Sequence, residues 1–136
     1  MVNKILWEFY KKGKFLIPVV ENNESKKMSK YNLWAKWELI PTGAKKSSLT
    51  IDEFNGILQI TLFCPNGVGN DIIETKANEI VNYFGIEKQP KIELSDGVII
   101  TDLIIKSSHK EPSMPDSNGK WFMQPIRIEY SLTNSQ

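Results

Sequence analysis

Apolar and polar residues alternate from Gly56 to Cys64, the clearest strand pattern in the chain. A period of two predicts a half-buried β-strand, because successive side chains of a strand point to opposite faces of the sheet. Leu58, Ile60, Leu62 and Cys64 share one face, which we assign to the core. Residues such as Gln59 and Thr61 lie on the other face.

A turn at Pro65 to Gly69 separates this strand from a predicted amphipathic helix. We expect Asp71 as the N-cap with Glu74 three residues later, and Gly85 at the C-terminal stop. A phosphate-binding loop is not expected here, because the Gly-Lys-Ser/Thr ending is missing and two carboxylates occupy the positive end of the helix. The apolar stripe consists of Ile72, Ile73, Ala77, Ile80, Val81 and Phe84.

The N-terminal part predicts a short helix from Asn3 to Lys12, and then an extended segment from Phe15 to Val20. Glu21 to Lys30 is polar and lysine-rich, which is typical of a loop. A strand follows from Trp34 to Ile40, and Pro41-Thr42-Gly43 is expected to end it. The stretch from Ala44 to Asn55 is too polar for the core and is predicted to be a long surface connection.

The C-terminal part predicts three strands, over Lys91 to Leu94, Val98 to Lys106 and Trp121 to Leu132, with a polar loop from Ser107 to Lys120. The second of these strands is apolar on both faces. Pro125 lacks a backbone donor and therefore indicates an edge position or a bulge in the last strand. Its predicted buried residues are Phe122, Ile126, Ile128 and Tyr130.

This order of elements favours one domain over residues 1–136. We expect an α+β fold with a mostly antiparallel sheet of four to five strands and two helices packed on one side. One long and one short helix give little cover for such a sheet, so oligomerisation is expected to cover the remainder.

Charge is distributed unevenly along the chain, although the formal net charge is only +1. Residues 1–48 carry ten lysines and four acids, whereas residues 49–136 carry seven basic residues and twelve acids. This split is compatible either with opposite-sign faces that meet between subunits or with solvated lysines on helix and loop surfaces. The single cysteine suits a reducing compartment, and no segment is long enough to span a membrane.

No catalytic or metal-binding constellation emerges from the residue types and their spacing. His109 lies in a polar loop, and Cys64 follows an apolar strand without the context of an activated nucleophile, so no enzyme and no cofactor are expected. Asp116 to Gly119 resembles a fragment of a calcium loop, but the downstream bidentate acid is absent and a turn is expected instead.

Aromatic residues near lysines leave a second interpretation open, a small module that binds single-stranded nucleic acid. Such a platform needs aromatic faces beside a basic groove. The alternative is that the tryptophans belong to the sheet. The residues concerned are lysines 26, 27, 30, 45 and 46 with Tyr31, Trp34 and Trp37.

The order of several segments resembles the lambda-type tail terminator family of long-tailed bacteriophages. An extended Pro18 to Asn22 follows a first helix, a tryptophan-rich strand comes next, and Gly56 to Ile60 runs into Phe63 to Gly69. A helix then ends at Tyr83-Phe84, and the chain closes with Trp121-Phe122-Met123-Gln124-Pro125-Ile126-Arg127-Ile128-Glu129-Tyr130. The likeness spans about Leu16 to Tyr130.

The resemblance implies a structural virion protein of the tail, assembled in the host cytoplasm, and no enzymatic activity. Members form hexameric rings that cap the tail tube, end its polymerisation and join the tail to the head connector. The expected partners are therefore further copies of the chain, the tube protein and the connector, with DNA only passing through the ring. Our candidate contact residues are Lys45, Lys46, Gln59, Thr61, His109 and Arg127.

Overall fold

The computed structural model describes residues 2–21, 32–46, 51–67, 70–86, 91–94, 96–97, 99–100 and 102–135. Two helices and eight strands are defined. In chain order they are α1 (Val2–Lys12), β1 (Val19–Glu21), β2 (Trp34–Lys46), β3 (Ile51–Pro65), α2 (Asn70–Ile86), β4 (Ile92–Glu93), β5 (Ile99–Ile100), β6 (Leu103–Lys110), β7 (Met114–Pro115) and β8 (Trp121–Ser135). The predicted loop from Glu21 to Lys30 lies almost entirely outside the described residues.

Six strands form one sheet in the order β1-β2-β3-β8-β6, with β7 also paired to β8. The pairs β2–β3, β3–β8, β6–β8 and β7–β8 are antiparallel, whereas the short β1 runs parallel to β2. Strands β4 and β5 form a separate two-stranded sheet. The predicted α+β class is confirmed, with a sheet slightly larger than the four to five strands expected.

Both helices pack against the same face of the main sheet, as predicted. The alternate residues of β3 and β8 that were assigned to the core, Leu58 to Cys64 and Ile126 to Tyr130, are buried there together with Trp37 from β2. Helix α1 contributes Ile5, Leu6, Phe9 and Tyr10, and helix α2 contributes Ile73, Ala77, Ile80 and Phe84. The strand alternation and the helical periodicity thus converge on one core.

The prediction that β2 ends at Pro41-Thr42-Gly43 was wrong. The strand continues to Lys46, and a register shift between Pro41 and Gly43 absorbs the proline. The segment predicted as a surface connection, Ala44 to Asn55, instead supplies the ends of β2 and β3, with Ala44 paired to Phe54. Residues 47–50 lie outside the described part. A bulge lets a strand bend without ending, which explains why the turn residues misled the prediction.

The predicted strand from Val98 to Lys106 is also divided. β5 pairs with β4, and β6 begins at Leu103 and reaches Lys110, inside the segment expected to be a loop. Phe122 is half-buried, whereas the other three predicted core residues of β8 are buried.

Pro125 is not at a sheet edge, because β8 lies between β3 and β6. Its carbonyl accepts a hydrogen bond from the Glu111 N–H (3.0 Å), just beyond the end of β6. The N–H and C=O of a strand residue point to the same side, so the missing donor faces the break between β6 and β7. At this break no strand needs a hydrogen bond from residue 125, so the proline is tolerated there as it would be at a sheet edge.

Helix α2 begins at Asn70, so Asp71 lies inside the first turn and is not the N-cap. The backbone carbonyl of Asp71 accepts a hydrogen bond from the Thr75 hydroxyl (2.9 Å). The helix ends at Ile86, one residue after the predicted stop. Ile72 is exposed, so the predicted apolar stripe is narrower than the sequence suggested.

Candidate assembly surface

The face of the main sheet that points away from the helices, which we call the outer face, carries a row of polar residues across four strands. The strand register places Glu38 opposite Gln59, Gln59 opposite Arg127, and Arg127 opposite His109. These four residues come from β2, β3, β8 and β6. Directly opposed side chains lie within about 4.5–5.5 Å at Cβ, so the row is one continuous polar band.

Charged residues of this band are paired along their own strands. Arg127 Nε lies 3.3 Å from Glu129 Oε1, and Lys36 Nζ lies 3.8 Å from Glu38 Oε1. All four side chains are between about a third and two-fifths exposed. Ion pairs this exposed contribute at most about 1 kcal/mol each to the free energy of folding. Exchanging them for contacts with a partner would therefore cost the fold little.

Apolar residues flank the polar band on both sides. On one side the register aligns Trp34, Phe63, Met123 and Met114, and the rings of Trp34 and Phe63 stack with centroids 4.1 Å apart and planes 7° apart. On the other side Ile40 lies opposite Ile57. Ile40 and Met114 are exposed. A polar band between apolar flanks is a surface of mixed chemistry, as is common at protein interfaces.

The structure brings together four of the six candidate contact residues. Gln59, Arg127 and His109 are neighbours in one row, and Thr61 lies on the same face, with its hydroxyl 3.5 Å from Gln59 Nε2. Thr61 is only 6% exposed, which leaves little of it for a partner. Lys45 and Lys46 lie apart, at the far end of β2, opposite Glu53 and Asp52.

The two edges of the sheet differ in charge. Helix α1, β1 and β2 all come from the lysine-rich first 48 residues, and they form one edge, where Lys11, Lys12 and Lys14 are exposed. At the opposite edge α2, which packs beside β6, exposes Asp71, Glu74 and Glu79, whereas β6 itself exposes Lys106 and Lys110. The charge split is therefore clearest between the lysines at the end of α1 and the acids of α2.

Comparison with known proteins gives the family. A family model described as phage tail terminator protein matches residues 8–130. The chain belongs to the phage tail terminator family. No curated protein matches the sequence. One solved structure that matches has a TM-score of 0.63 and 15% sequence identity, over 97% of this chain and 95% of that chain, and so shows the fold alone.

Cys64 and His109 lie on opposite faces of the sheet. The cysteine is buried in the core, where burial raises the pKa of its thiol, and His109 is exposed on the outer face with Nε2 3.4 Å from Glu111 Oε1. A nucleophile and its base must lie within hydrogen-bond reach, so these two residues cannot act as a catalytic pair.

The segment from Asp116 to Gly119 forms a turn, as predicted. The Asp116 carboxylate accepts a hydrogen bond from the Trp121 N–H (3.2 Å), and Gly119 has a φ of 68°, a conformation that favours glycine. In the part of the chain that the structure describes, no cluster of three or more histidine, cysteine or acidic side chains is suited to a metal ion. Nor is any helix among those residues long and apolar enough to cross a membrane.

The tryptophans proposed for a nucleic-acid platform belong to the packed structure of the tail terminator. Trp34 is 2% exposed and Trp37 is 3% exposed, and the Trp37 indole donates a hydrogen bond to Asn3 Oδ1 (2.7 Å). Neither ring offers a free face on which a base could stack. Lysines 26, 27 and 30 and Tyr31 lie outside the described residues, so their part of that prediction stays a prediction.

Sequence reasoning missed one exposed residue at the basic edge, Leu16. It is 93% exposed, although it stands in an apolar run between Phe15 and Ile17, which are buried. Alternation within that run was the available signal, and Pro18 and the short length of the segment obscured it.

Proposed function

We propose that this tail terminator forms a closed ring, a hexamer, that caps the tail tube, ends its polymerisation and joins the tail to the head connector. DNA passes through the ring without being bound as a specific ligand. Family membership supports the role in the tail, and the outer face supports the assembly role. This face is the observation that carries the proposal.

The outer face supports assembly because both helices of the described part pack on the opposite side of the sheet. Four strands then expose a band of paired charges between apolar flanks. Charged groups arranged in this way give a binding surface its specificity and fix its register more than they add affinity. We assign this face to the tube or to the adjoining ring.

The unlike edges support a ring with head-to-tail contacts. Such contacts use two different surfaces of each subunit, and they close into a ring when the rotation between subunits closes. The exposed lysines at the end of α1 and the exposed acids of α2 are two such surfaces. A ring of this kind also has two different faces, one for the tube and one for the connector.

Charge reversal at Arg127 tests the assignment of the outer face. Arg127→Glu is expected to leave the melting temperature nearly unchanged, because the residue is exposed, while tails assembled with it become overlong and remain without heads. Electron microscopy of tails from the phage that encodes the chain measures both effects. Glu93→Arg, an exposed charge reversal on β4, outside the main sheet, is the matched control and should give tails of normal length.

Two outcomes would count against the proposal. Normal-length, head-joined tails with folded Arg127→Glu would remove the outer face from the interface. Normal tails in the complete absence of the protein would remove the capping function itself.

A further inference from the structure

The segment from Gly13 to Ile17 presents Leu16 to solvent in a constrained backbone. Lys14 and Leu16 have φ values of 52° and 59°, in the left-handed region that residues other than glycine rarely adopt. Such conformations persist where the surrounding structure fixes them, and they cluster at functional sites. The segment therefore combines an unfavourable backbone conformation with an exposed apolar side chain.

Neighbouring residues hold Leu16 in this position. The Phe15 ring packs against the rings of Tyr10 and Tyr83, with centroids 5.1 and 5.3 Å away. It also lies so close to Gly13 that a Cβ there would come within 2.7 Å of the ring atom Cζ. Leu16 is thus a fixed projection and not the tip of a loose loop, so a partner could bind it at little cost in conformational entropy.

A groove lies beside the first turns of α2, where β6 has ended and β7 has not begun. Its volume is about 550 Å³, and Ile73, Phe122 and Pro112 supply apolar walls. At its base Gln124 Nε2 donates to the carbonyls of Glu111 (2.8 Å) and Pro125 (2.9 Å). A cavity of about 150 Å³ already accommodates a benzene ring, so this groove is large enough for a leucine side chain.

Charge complements shape at the two sites. Lys14, next to the projection, and Glu74, in the wall of the groove, make no ion pair with any residue that the structure describes. Glu111 in the groove is within reach of His109, and Lys110 adds one positive charge there. The groove still carries two acids against one lysine, whereas the segment around Leu16 carries Lys11, Lys12 and Lys14.

We propose that Leu16 of one subunit inserts into this groove of the next subunit and that Lys14 pairs with Glu74 across the same contact. The occupant of the groove is a second copy of this chain. The projection and the groove are different surfaces of one chain, so the contact is head-to-tail and repeats around a ring. The inference rests on the proposed ring and identifies the contact that closes it.

Cysteine cross-linking on capped tail tubes tests this contact. A chain with Lys14→Cys and Glu74→Cys, which keeps Leu16, should form a ladder of linked oligomers with a short bismaleimide cross-linker, since an ion-paired lysine and glutamate can hold their Cα atoms further apart than the roughly 7 Å that a disulfide permits. Lys14→Cys combined with Asp102→Cys, an exposed position just before the start of β6 that is remote from the groove, is the control and should stay monomeric on denaturing gels. The native Cys64 is buried and is retained in both chains.

A charge exchange separates this contact from general damage to the protein. Lys14→Glu and Glu74→Lys should each reduce the fraction of capped tubes about tenfold or more, which is within the range for interface contacts, and the double variant should restore capping. Leu16→Asp should abolish capping while the melting temperature stays unchanged.

The possible failures are distinguishable. Capped, normal-length tubes without the ladder of cross-linked oligomers, or with Leu16→Asp, would overturn the contact and leave the ring in place. Tubes that reach normal length with no terminator present would overturn the proposed function, whatever the cross-linking shows.

Discussion

Replacement of Gly56 by alanine tests the packing between the two central strands of the tail terminator. Gly56 on β3 lies directly opposite Tyr130 on β8, on the core face. A Cβ at Gly56 would come closest to the Tyr130 hydroxyl oxygen and within 2.6 Å of Cζ. The aromatic ring therefore fills the space that the missing side chain leaves, and an alanine must displace it.

Two effects of opposite sign determine the free energy of unfolding of Gly56→Ala. Overpacking in a well-packed core costs about 1–3 kcal/mol. Alanine recovers roughly 0.5–1 kcal/mol, since glycine in a strand loses more conformational entropy on folding. Because the Tyr130 hydroxyl oxygen leaves no room for a Cβ, the overpacking cost should lie in the upper half of that range, so the variant should be less stable by about 1–2.5 kcal/mol. This corresponds to a decrease in melting temperature of roughly 3–10 °C for a domain of this size.

Urea denaturation of a double-mutant cycle measures this coupling. In a Tyr130→Phe background the closest atom is gone, so Gly56→Ala should cost less there than in the native chain, by about 0.5 kcal/mol or more. An equal cost in both backgrounds, or a Gly56→Ala chain as stable as the native one, would refute the reasoning.

Three further predictions concern single polar groups. Burial raises the pKa of Tyr10 to about 12 from 10.0. The free energy of unfolding should therefore fall by about 1.4 kcal/mol per pH unit as the pH rises from 10 towards 12. Tyr10→Phe should flatten that decrease, as measured by urea titration at each pH. Ser108→Ala removes the hydrogen bond from the Ser108 hydroxyl to the Val81 carbonyl (2.8 Å) that links β6 to α2, and should cost about 1 kcal/mol by thermal denaturation. Asp116→Ala should cost about as much, because the Trp121 N–H loses its carboxylate partner; an unchanged midpoint of either variant would contradict these assignments.

Hydrophobic periodicity was sufficient to predict the core but not the ends of the strands. The buried faces of β3 and β8 and the buried residues of both helices follow from spacing alone. The extension of β2 beyond Pro41 does not, because a bulge and a turn use the same residue types. The sequence also could not predict that Pro125 lies inside the sheet, because this depends on where a different strand, β6, ends.

The candidate surface was predicted in part. Alternation placed Gln59 and Thr61 away from the core, but only the register shows that Arg127 and His109 lie beside Gln59. Sequence spacing carries no information on which strands are neighbours across a sheet. The exposure of Leu16 was not predicted, because it accompanies a left-handed backbone at two positions and because Pro18 obscured the alternation in its short apolar run.

The edges of the main sheet bear on the proposed ring. An exposed strand edge invites a further strand, unless it is short, bulged or lined with lysine. β6 has a register shift between Ile105 and Ser107 and exposes Lys106 and Lys110, so this edge is poorly suited to extend the sheet. At the other edge, β1 pairs only with Ala35 to Trp37 of β2. In the proposed ring, a contact at the β6 edge would then be made by side chains, which is the kind of contact that a projecting leucine and an unlike groove provide.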